Sequence, residues 1–160
     1  QLQAHGIRIA FFLQFGYTGE NRDDIERTLQ MVRDLLPDDI GISVSYPLPG
    51  TPFYERVRQE LGRANWYDSD DLAMLYRGTF ATPFYRQLHK VVHKDYRSRK
   101  TWRALPRWLL KPHQLRGAHL RQVASMIYHR LTLPLAERKL NQLAQLPHDA
   151  PDVANVQLMP

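Results

Sequence analysis

The apolar residues near the start of the chain follow two kinds of pattern. The run IRIAFFLQF is short, apolar and rich in aromatic residues, which predicts a strand buried on both faces, as parallel strands are. The segment RDDIERTLQMVRDLLPDD repeats its apolar residues at helical spacing, and it predicts a helix with Asn21 as N-cap, acidic residues in the first turn and Pro37 closing the end. The β-branched run IGISVSY predicts a second strand. Strand, helix and strand in this order indicate a right-handed βαβ unit with parallel strands.

Two shorter elements flank this unit. QLQAHG is typical of the last turn of a helix, with Gly6 just past its end, and PFYERVRQELG predicts a short helix that starts near Pro52 and ends at Gly62. Two parallel strands need neighbouring strands to make a stable sheet, and we find no others in the sequence. Since the chain opens on Gln1, we expect it to be a piece of a larger α/β protein.

Beyond Gly62 the chain changes character. NWYDSDDLAMLYRG is a turn-rich connector, and TPFYRQLHKVVHKDYRSRK predicts a helix that starts near Pro83 with Phe84, Leu88, Val91, Val92 and Tyr96 along one face. We expect TWRALPRWLLKPHQLRG to be broken by Pro106 and Pro112, and the next segment, AHLRQVASMIYHRLTLPLAERKLNQLAQL, to form one or two amphipathic helices. The predicted division is residues 1–62, a helical extension over 63–148 and a frayed tail over 149–160.

Composition narrows the class of protein. The 160 residues are 43% hydrophobic and 24% charged, which is globular, and no apolar run approaches the roughly 20 residues that span a bilayer. The chain has no cysteine, which excludes a disulfide framework and a thiolate metal site and is compatible with a cytoplasmic location. Residues 1–62 carry 6 basic and 9 acidic side chains, whereas residues 63–160 carry 16 and 7. The two parts are therefore expected to differ physically.

Two loops follow the predicted strands, FGYTGEN and YPLPGTPFY. Ligands of parallel βα proteins gather at the carboxyl ends of strands, where such loops meet. In the first loop Gly16 and Gly19 allow close backbone approach and Glu20 places a carboxylate at the helix entrance; in the second, Pro47, Pro49 and Pro52 stiffen the chain around Gly50. Such a loop is either a mere turn or a fixed array of backbone groups that suits a planar, polar ligand such as adenine.

The two loops, with the helix and strand between them, resemble the last part of the radical SAM core. FFLQFGYTGENRDDIERTL and SVSYPLPGTPFYERV are similar to a strand with a GxPGET-like loop and a strand ending in PxPGTPxY. The match covers residues 7–57. The aromatic FFLQFGY looks most like the cobalamin-binding branch, which includes anaerobic magnesium-protoporphyrin monomethyl ester cyclase-like proteins and cobalamin-dependent methyltransferases.

The resemblance implies the fifth and sixth strands of a partial (β/α)6 TIM-type barrel, a βαβα portion followed by a mostly helical basic extension. In the family a CxxxCxxC motif holds a [4Fe-4S] cluster that cleaves S-adenosylmethionine, and the last two strands contact the adenine. When the roles of the family's residues are carried over by position, the cofactor-binding residues would be Gln14, Gly16, Tyr46 and Pro47. The remaining loop residues would shape the loops: Gly19, Glu20, Pro49, Gly50 and Thr51.

This sequence departs from the family pattern at several positions. Thr18 stands where proline is common, Asn21 where threonine is common, and Gln14 where many members place an apolar residue against adenine. With no cysteine the chain cannot hold the cluster, so alone it is expected to be catalytically inactive, with no catalytic residue of its own. Its first partner would be the missing N-terminal part of the same protein, including any cobalamin-binding domain, and the parent would be a radical methyltransferase or cyclase.

Two further features have less specific interpretations. His89 and His93 are spaced to chelate a metal on a helix, but no third ligand accompanies them, and a solvated basic face is the simpler interpretation. Residues 86–116 hold ten Lys or Arg against one acid, with Trp102 and Trp108 among them. This segment could contact an anionic membrane, which would suit a lipid or tetrapyrrole substrate and a membrane-peripheral location. It could equally contact nucleic acid or be a solvated cap over the barrel mouth.

An alternative of a different class treats the chain as a small basic α/β binding module. The βαβ unit would then be a scaffold, and the basic extension would contact nucleic acid or an anionic membrane. Within the radical SAM interpretation a nucleic-acid partner is not expected. A gel shift with steep salt dependence would favour the module, whereas four upstream strands and a three-cysteine motif in the parent reading frame would exclude it.

Overall fold

A computed structural model describes residues 2–61, 72–110, 113 and 116–146. A 3-10 turn over Leu2–His5 comes first and Gly6 follows it with a positive φ of 75°, close to the predicted helix end. The elements are then β1 (Ala10–Phe15), α1 (Arg22–Leu35), β2 (Asp39–Val44), α2 (Pro52–Val57) with a 3-10 turn at Arg58–Glu60, α3 (Thr82–Leu110) and α4 (Gly117–Leu143). The predicted tail over 149–160 and the first half of the predicted connector, residues 65–71, lie outside the described residues.

β1 and β2 pair in parallel, with Ala10 opposite Asp39 and Phe15 opposite Val44. The helix α1 connects them, so the predicted parallel βαβ unit is confirmed. Its start is fixed by Asn21, whose side chain accepts hydrogen bonds from the backbone N–H groups of Asp23 (2.8 Å) and Asp24 (3.1 Å), while the Asp24 carboxylate accepts one from Asn21 N–H. This reciprocal cap satisfies N–H groups that the first turn would otherwise leave without partners.

The two faces of the small sheet differ. Leu13 and Phe15 of β1, with Ile40 and Val44 of β2, are buried in a core to which α1 and α3 both contribute. On the opposite face Phe12 is 75% exposed, its ring lying over Gly41, and Gln14 is exposed as well. The prediction that the first strand is buried on both faces is therefore wrong for the described residues. Both packed helices lie on one side of the sheet, which leaves the Phe12 side without a comparable helical layer among those residues.

The two long helices α3 and α4 run antiparallel and in contact. Gln87 Nε2 donates to the backbone carbonyl of Ala136 (2.9 Å), and seven residues further on Lys94 Nζ donates to Thr132 Oγ1 (2.6 Å). The predicted apolar face of α3 is confirmed, because all five of its residues are buried: Phe84, Leu88, Val91, Val92 and Tyr96. Since α3 shares its core with the sheet, the predicted extension packs directly on the βαβ unit; the boundary drawn at residue 62 stays a prediction.

Pro106 lies inside α3 and does not end it, so the predicted break at this position is wrong. A proline removes one hydrogen bond from the helix, but here the carbonyl left over belongs to Trp102, a residue that is mostly exposed, where water can replace the donor. The helix then ends four residues later. Pro134 is likewise contained within α4, and the segment predicted as one or two helices is a single one. Pro112 lies outside the described residues.

Candidate ligand-binding edge of the sheet

The two predicted loops leave the same edge of the sheet, because β1 and β2 are parallel and in register. Each begins with a tight turn. Glu20 N–H donates to Tyr17 O (2.9 Å) around Gly19, whose φ is 86°, and Thr51 N–H donates to Leu48 O (3.2 Å) around Gly50, whose φ is 83°. A positive φ at the third position of a turn is the reason for glycine at both sites.

The proline-rich loop passes directly into α2. Thr51 is the N-cap of this helix: its hydroxyl accepts a hydrogen bond from Tyr54 N–H (3.1 Å) and donates to Leu48 O (2.7 Å). Pro52 occupies the first turn, where no backbone donor is needed. Pro49 stands at the second position of the turn, the place that its fixed φ suits. The stiffness inferred from the sequence is thus built from one turn and one helix cap.

Gly16 lies at the centre of the first loop and is buried. Its N–H donates to Glu20 Oε2 (2.7 Å), and its carbonyl accepts a hydrogen bond from the hydroxyl of Tyr76. A Cβ at this position would lie 2.7 Å from Cγ1 of Val44 and 3.0 Å from Sδ of Met74, and φ is 82°. Glycine is required here because other parts of the chain close around it, and both of its backbone polar groups are used inside the protein.

Burial governs the acid–base properties of this network. Desolvation raises the pKa of Glu20, opposed by the hydrogen bond from Gly16 N–H and by one from Tyr85, whose hydroxyl lies 3.5 Å from Glu20 Oε2. Burial, with the Glu20 charge as a second cause, raises the pKa of Tyr76 to about 12 and shifts that of Tyr85 in the same direction. Both tyrosines therefore remain protonated donors at neutral pH.

Sequence reasoning missed the two tyrosines. Tyr76 is 60 residues from its partner Gly16, and Tyr85 is 65 residues from Glu20. The only available signal was the density of aromatic residues in LYRGTFATPFY, which does not specify a partner. Phe53 of α2 packs edge-on against Tyr76, with the ring centroids 5.2 Å apart, so the second loop contacts the same cluster.

The predicted cofactor-binding residues occupy different environments. Gln14 points to the exposed face of the sheet, where its Oε1 accepts a hydrogen bond from the Tyr17 hydroxyl (3.2 Å). Tyr46 is half exposed, whereas Pro47 is fully buried. With Gly16 buried in the interior, the structure brings the four residues to one edge but presents only Gln14 and Tyr46 to solvent.

Two serines on the Gln14 side of the sheet were not predicted. Ser43 pairs with Gln14 in the register, and Ser45, two residues on, falls on the same face by the alternation of a strand. Ser43 is 5% exposed and Ser45 1%, and among the described residues the hydroxyl of neither has a hydrogen-bond partner. Buried hydroxyls are usually paired, so two unpaired ones at the end of one strand mark a place where a polar ligand could bind.

The histidine pair lies away from this edge, on α3. The rings of His89 and His93 are 4.3 Å apart between centroids, and the described residues contain no group of three or more His, Asp or Glu side chains that could hold a metal ion. Burial lowers the pKa of His93 to about 4, with the neighbouring His89 and Arg97 as further causes. The pair is thus neutral at physiological pH.

Comparison with known proteins adds no family to this picture: no family model, curated protein or solved structure matches the chain. None of the described helices is both long and apolar enough to cross a membrane. Any functional conclusion therefore depends on the edge itself. The edge presents the Gln14 amide and the half-exposed Tyr46 ring to solvent, which are groups that can bind a flat polar molecule, and the two serine hydroxyls are buried beside them.

Proposed function

We propose that residues 7–57 form two adjacent βα units of a radical SAM barrel, with the adenine side of S-adenosylmethionine bound at the carboxyl edge of β1 and β2. The observation that carries the proposal is the pair of parallel strands in register whose two motif-bearing loops leave one edge. Parallel sheets are normally covered on both faces, so the exposed Phe12 and Gln14 face fits a wall that turns its second side towards a barrel interior.

The polar groups on that face support an adenine ligand. Three polar residues lie on the side of the sheet opposite the helices. Gln14 of β1 is the register partner of Ser43 in β2, and Ser45 comes two residues after Ser43. The amide and each of the two hydroxyls can donate and can also accept hydrogen bonds, and the polar edge of adenine and the ribose hydroxyls need partners of both kinds. The half-exposed Tyr46 adds an aromatic surface directly after them.

The structure changes the role that the resemblance gives to Gly16. Its N–H and carbonyl are bound to Glu20 and Tyr76, so we assign Gly16 with Glu20 to shaping the loop, and Gln14, Ser43, Ser45 and Tyr46 to the ligand. Pro47 is buried and would act by holding Tyr46 in place.

The chain does not fit the iron–sulfur cluster of the family. A [4Fe-4S] cluster is held by cysteine thiolates, and none of the 160 residues is a cysteine. The proposal therefore requires another part of the protein to carry the cluster, and likewise any cobalamin. No reaction step is assigned to this chain. The parent's reaction, a methyl transfer or a cyclisation, remains part of the proposal.

The experiment has two stages. The reading frame upstream of Gln1 should encode four further βα units and a three-cysteine motif; their absence would overturn the proposal. In that longer protein, equilibrium dialysis should then detect S-adenosylmethionine binding that Ser43→Val and Ser45→Val weaken by about tenfold, the value of about one lost hydrogen bond in a dry site.

A matched control comes from Ser98. This serine is equally buried, but its hydroxyl donates to the Asp95 carbonyl (2.9 Å) on α3, away from the edge. Ser98→Ala should leave the affinity for S-adenosylmethionine unchanged. Equal losses in all three variants would mean that the serines act on stability alone.

A further inference from the structure

The outer face of α4 carries an apolar stripe. Leu120, Ile127, Leu131 and Leu135 fall within about 80° of the helix circumference, at the 100° per residue of an α-helix. Their exposed fractions lie between 51% and 73%, so no described residue covers them substantially. The stripe extends over about 22 Å of helix.

This stripe is separate from the core-facing side of the same helix. Met126 and Leu140 are buried and Leu133 packs against the core, and all three lie on the opposite side of the helix. The helix is therefore apolar on two opposite faces, one used by the fold and one not. Isolated exposed apolar residues are ordinary, but four in one row are typical of a binding surface.

The charges around the stripe are mostly basic, and Glu137 is the acid that follows it on α4. Residues 96–136 contain nine Lys or Arg and no Asp or Glu. Arg121 lies on one flank of the stripe and Arg130 on the other, where the Arg130 guanidinium sits 5.8 Å from the centre of the exposed Trp102 ring. Tyr128 adds a second exposed aromatic ring on the Arg121 side.

We infer that the outer face of α4, with Trp102 of α3, binds the surface of an anionic phospholipid membrane. Aliphatic side chains would enter the acyl boundary, aromatic rings would lie at the headgroup level, and the flanking arginines would meet lipid phosphates. The inference is independent of the proposed cofactor site, which lies at the carboxyl edge of the sheet.

Two other occupants fit less well. A nucleic-acid backbone would contact the cations but gain nothing from a row of exposed aliphatic side chains. A second copy of the chain could cover the apolar stripe, but it would bring two net-basic surfaces together. An anionic bilayer can bury the apolar stripe in its acyl region and pair its phosphates with the flanking arginines.

Vesicle flotation with the full chain tests this inference. Vesicles of phosphatidylglycerol and phosphatidylcholine should carry the protein at low ionic strength, and vesicles of phosphatidylcholine alone should bind it much less. Leu131→Glu should reduce the partition coefficient by at least about tenfold. Arg121→Gln should reduce it by about fivefold, the effect of one cation at an anionic surface.

The matched control is Met31→Glu. Met31 is an exposed apolar residue of α1, and this substitution changes the net charge by the same amount, so it should float like the wild type. Should Leu131→Glu fail to fold by circular dichroism, Leu120→Glu replaces it at the other end of the stripe. The inference would be overturned by the absence of flotation of the wild type or by equal flotation of Leu131→Glu and Met31→Glu. A dimer that Leu131→Glu splits while vesicles leave it intact would overturn it as well. Binding to duplex DNA without binding to vesicles would also overturn it.

Discussion

Gly16→Ala is the substitution whose effect follows most directly from the structure. The new methyl group would lie 2.7 Å from Cγ1 of Val44 and 3.0 Å from Sδ of Met74, at a residue whose φ is 82°. Val44 is held in the core between the sheet and the helices, so it cannot move aside as the end of a flexible chain would. The clash therefore has to be met by a shift of the loop or of the strand.

The cost has two parts that can be separated. A positive φ costs an L-residue other than glycine about 1 kcal/mol, and overpacking a filled site costs about 1 to 3 kcal/mol. We expect Gly16→Ala to lower the free energy of unfolding by about 2 to 4 kcal/mol. Gly19→Ala provides the control, because its φ is 86° but, its chain neighbours aside, no atom of the described residues lies within 4 Å of the added methyl group. This variant should lose only about 1 kcal/mol.

Urea unfolding of both variants, followed by far-ultraviolet circular dichroism, measures the difference. Both substitutions restrict the unfolded chain equally, so that contribution cancels in the comparison. A difference of at least about 1 kcal/mol between them is expected. Equal losses would refute the reasoning, since they would mean that Gly16 is not enclosed by Val44, Met74 and Tyr85.

Three further predictions concern single side chains. Asn21→Ala should destabilise the fold by about 1 kcal/mol in urea unfolding, because two N–H groups of α1 lose their acceptor; an unchanged stability would contradict the cap. Tyr76→Phe should lower the free energy of unfolding by about 1 to 3 kcal/mol in the same assay, since the carbonyl of Gly16 loses its donor. The backbone N–H groups of Gly16 and its neighbours should then exchange hydrogen faster, and unchanged exchange would contradict the contact. His93 should titrate near pH 4 by NMR. Because the pKa of His93 in the folded protein lies below the ordinary 6.5, its contribution to stability is complete above pH 6.5 and is lost as the pH falls towards 4, by about 1 kcal/mol after solvent screening. His93→Gln should flatten this dependence of stability on pH, and a dependence that persists in the variant would contradict the prediction.

The local features of the fold were predictable from the sequence. Asn21, the acids after it and Pro37 specified α1 to within a residue or two, since caps and prolines act on the backbone next to them. The β-branched and aromatic runs specified two strands, and the helix between them made the strands parallel. The same reasoning placed the start of α3 near Pro83.

Features that depend on burial or on distant contacts were not predictable. Pro106 reads as a helix breaker, yet the exposed environment of Trp102 allows the helix to continue. Which face of β1 is covered depends on α3, far along the chain, and so the exposure of Phe12 had no local signal. The hydrogen bond from Tyr76 to Gly16 connects residues that are 60 positions apart, and no local sequence pattern indicates it.

The central proposal is that the carboxyl edge of β1 and β2 binds the adenine of S-adenosylmethionine. Photolabelling with 8-azido-S-adenosylmethionine in the longer protein, followed by peptide mass spectrometry, tests this claim most directly. We expect labelled peptides that contain Gln14 and residues 43–46, with labelling prevented by unlabelled S-adenosylmethionine and reduced in Ser45→Val. Labelling confined to other peptides, or labelling of this edge that the unlabelled compound does not prevent, would contradict it.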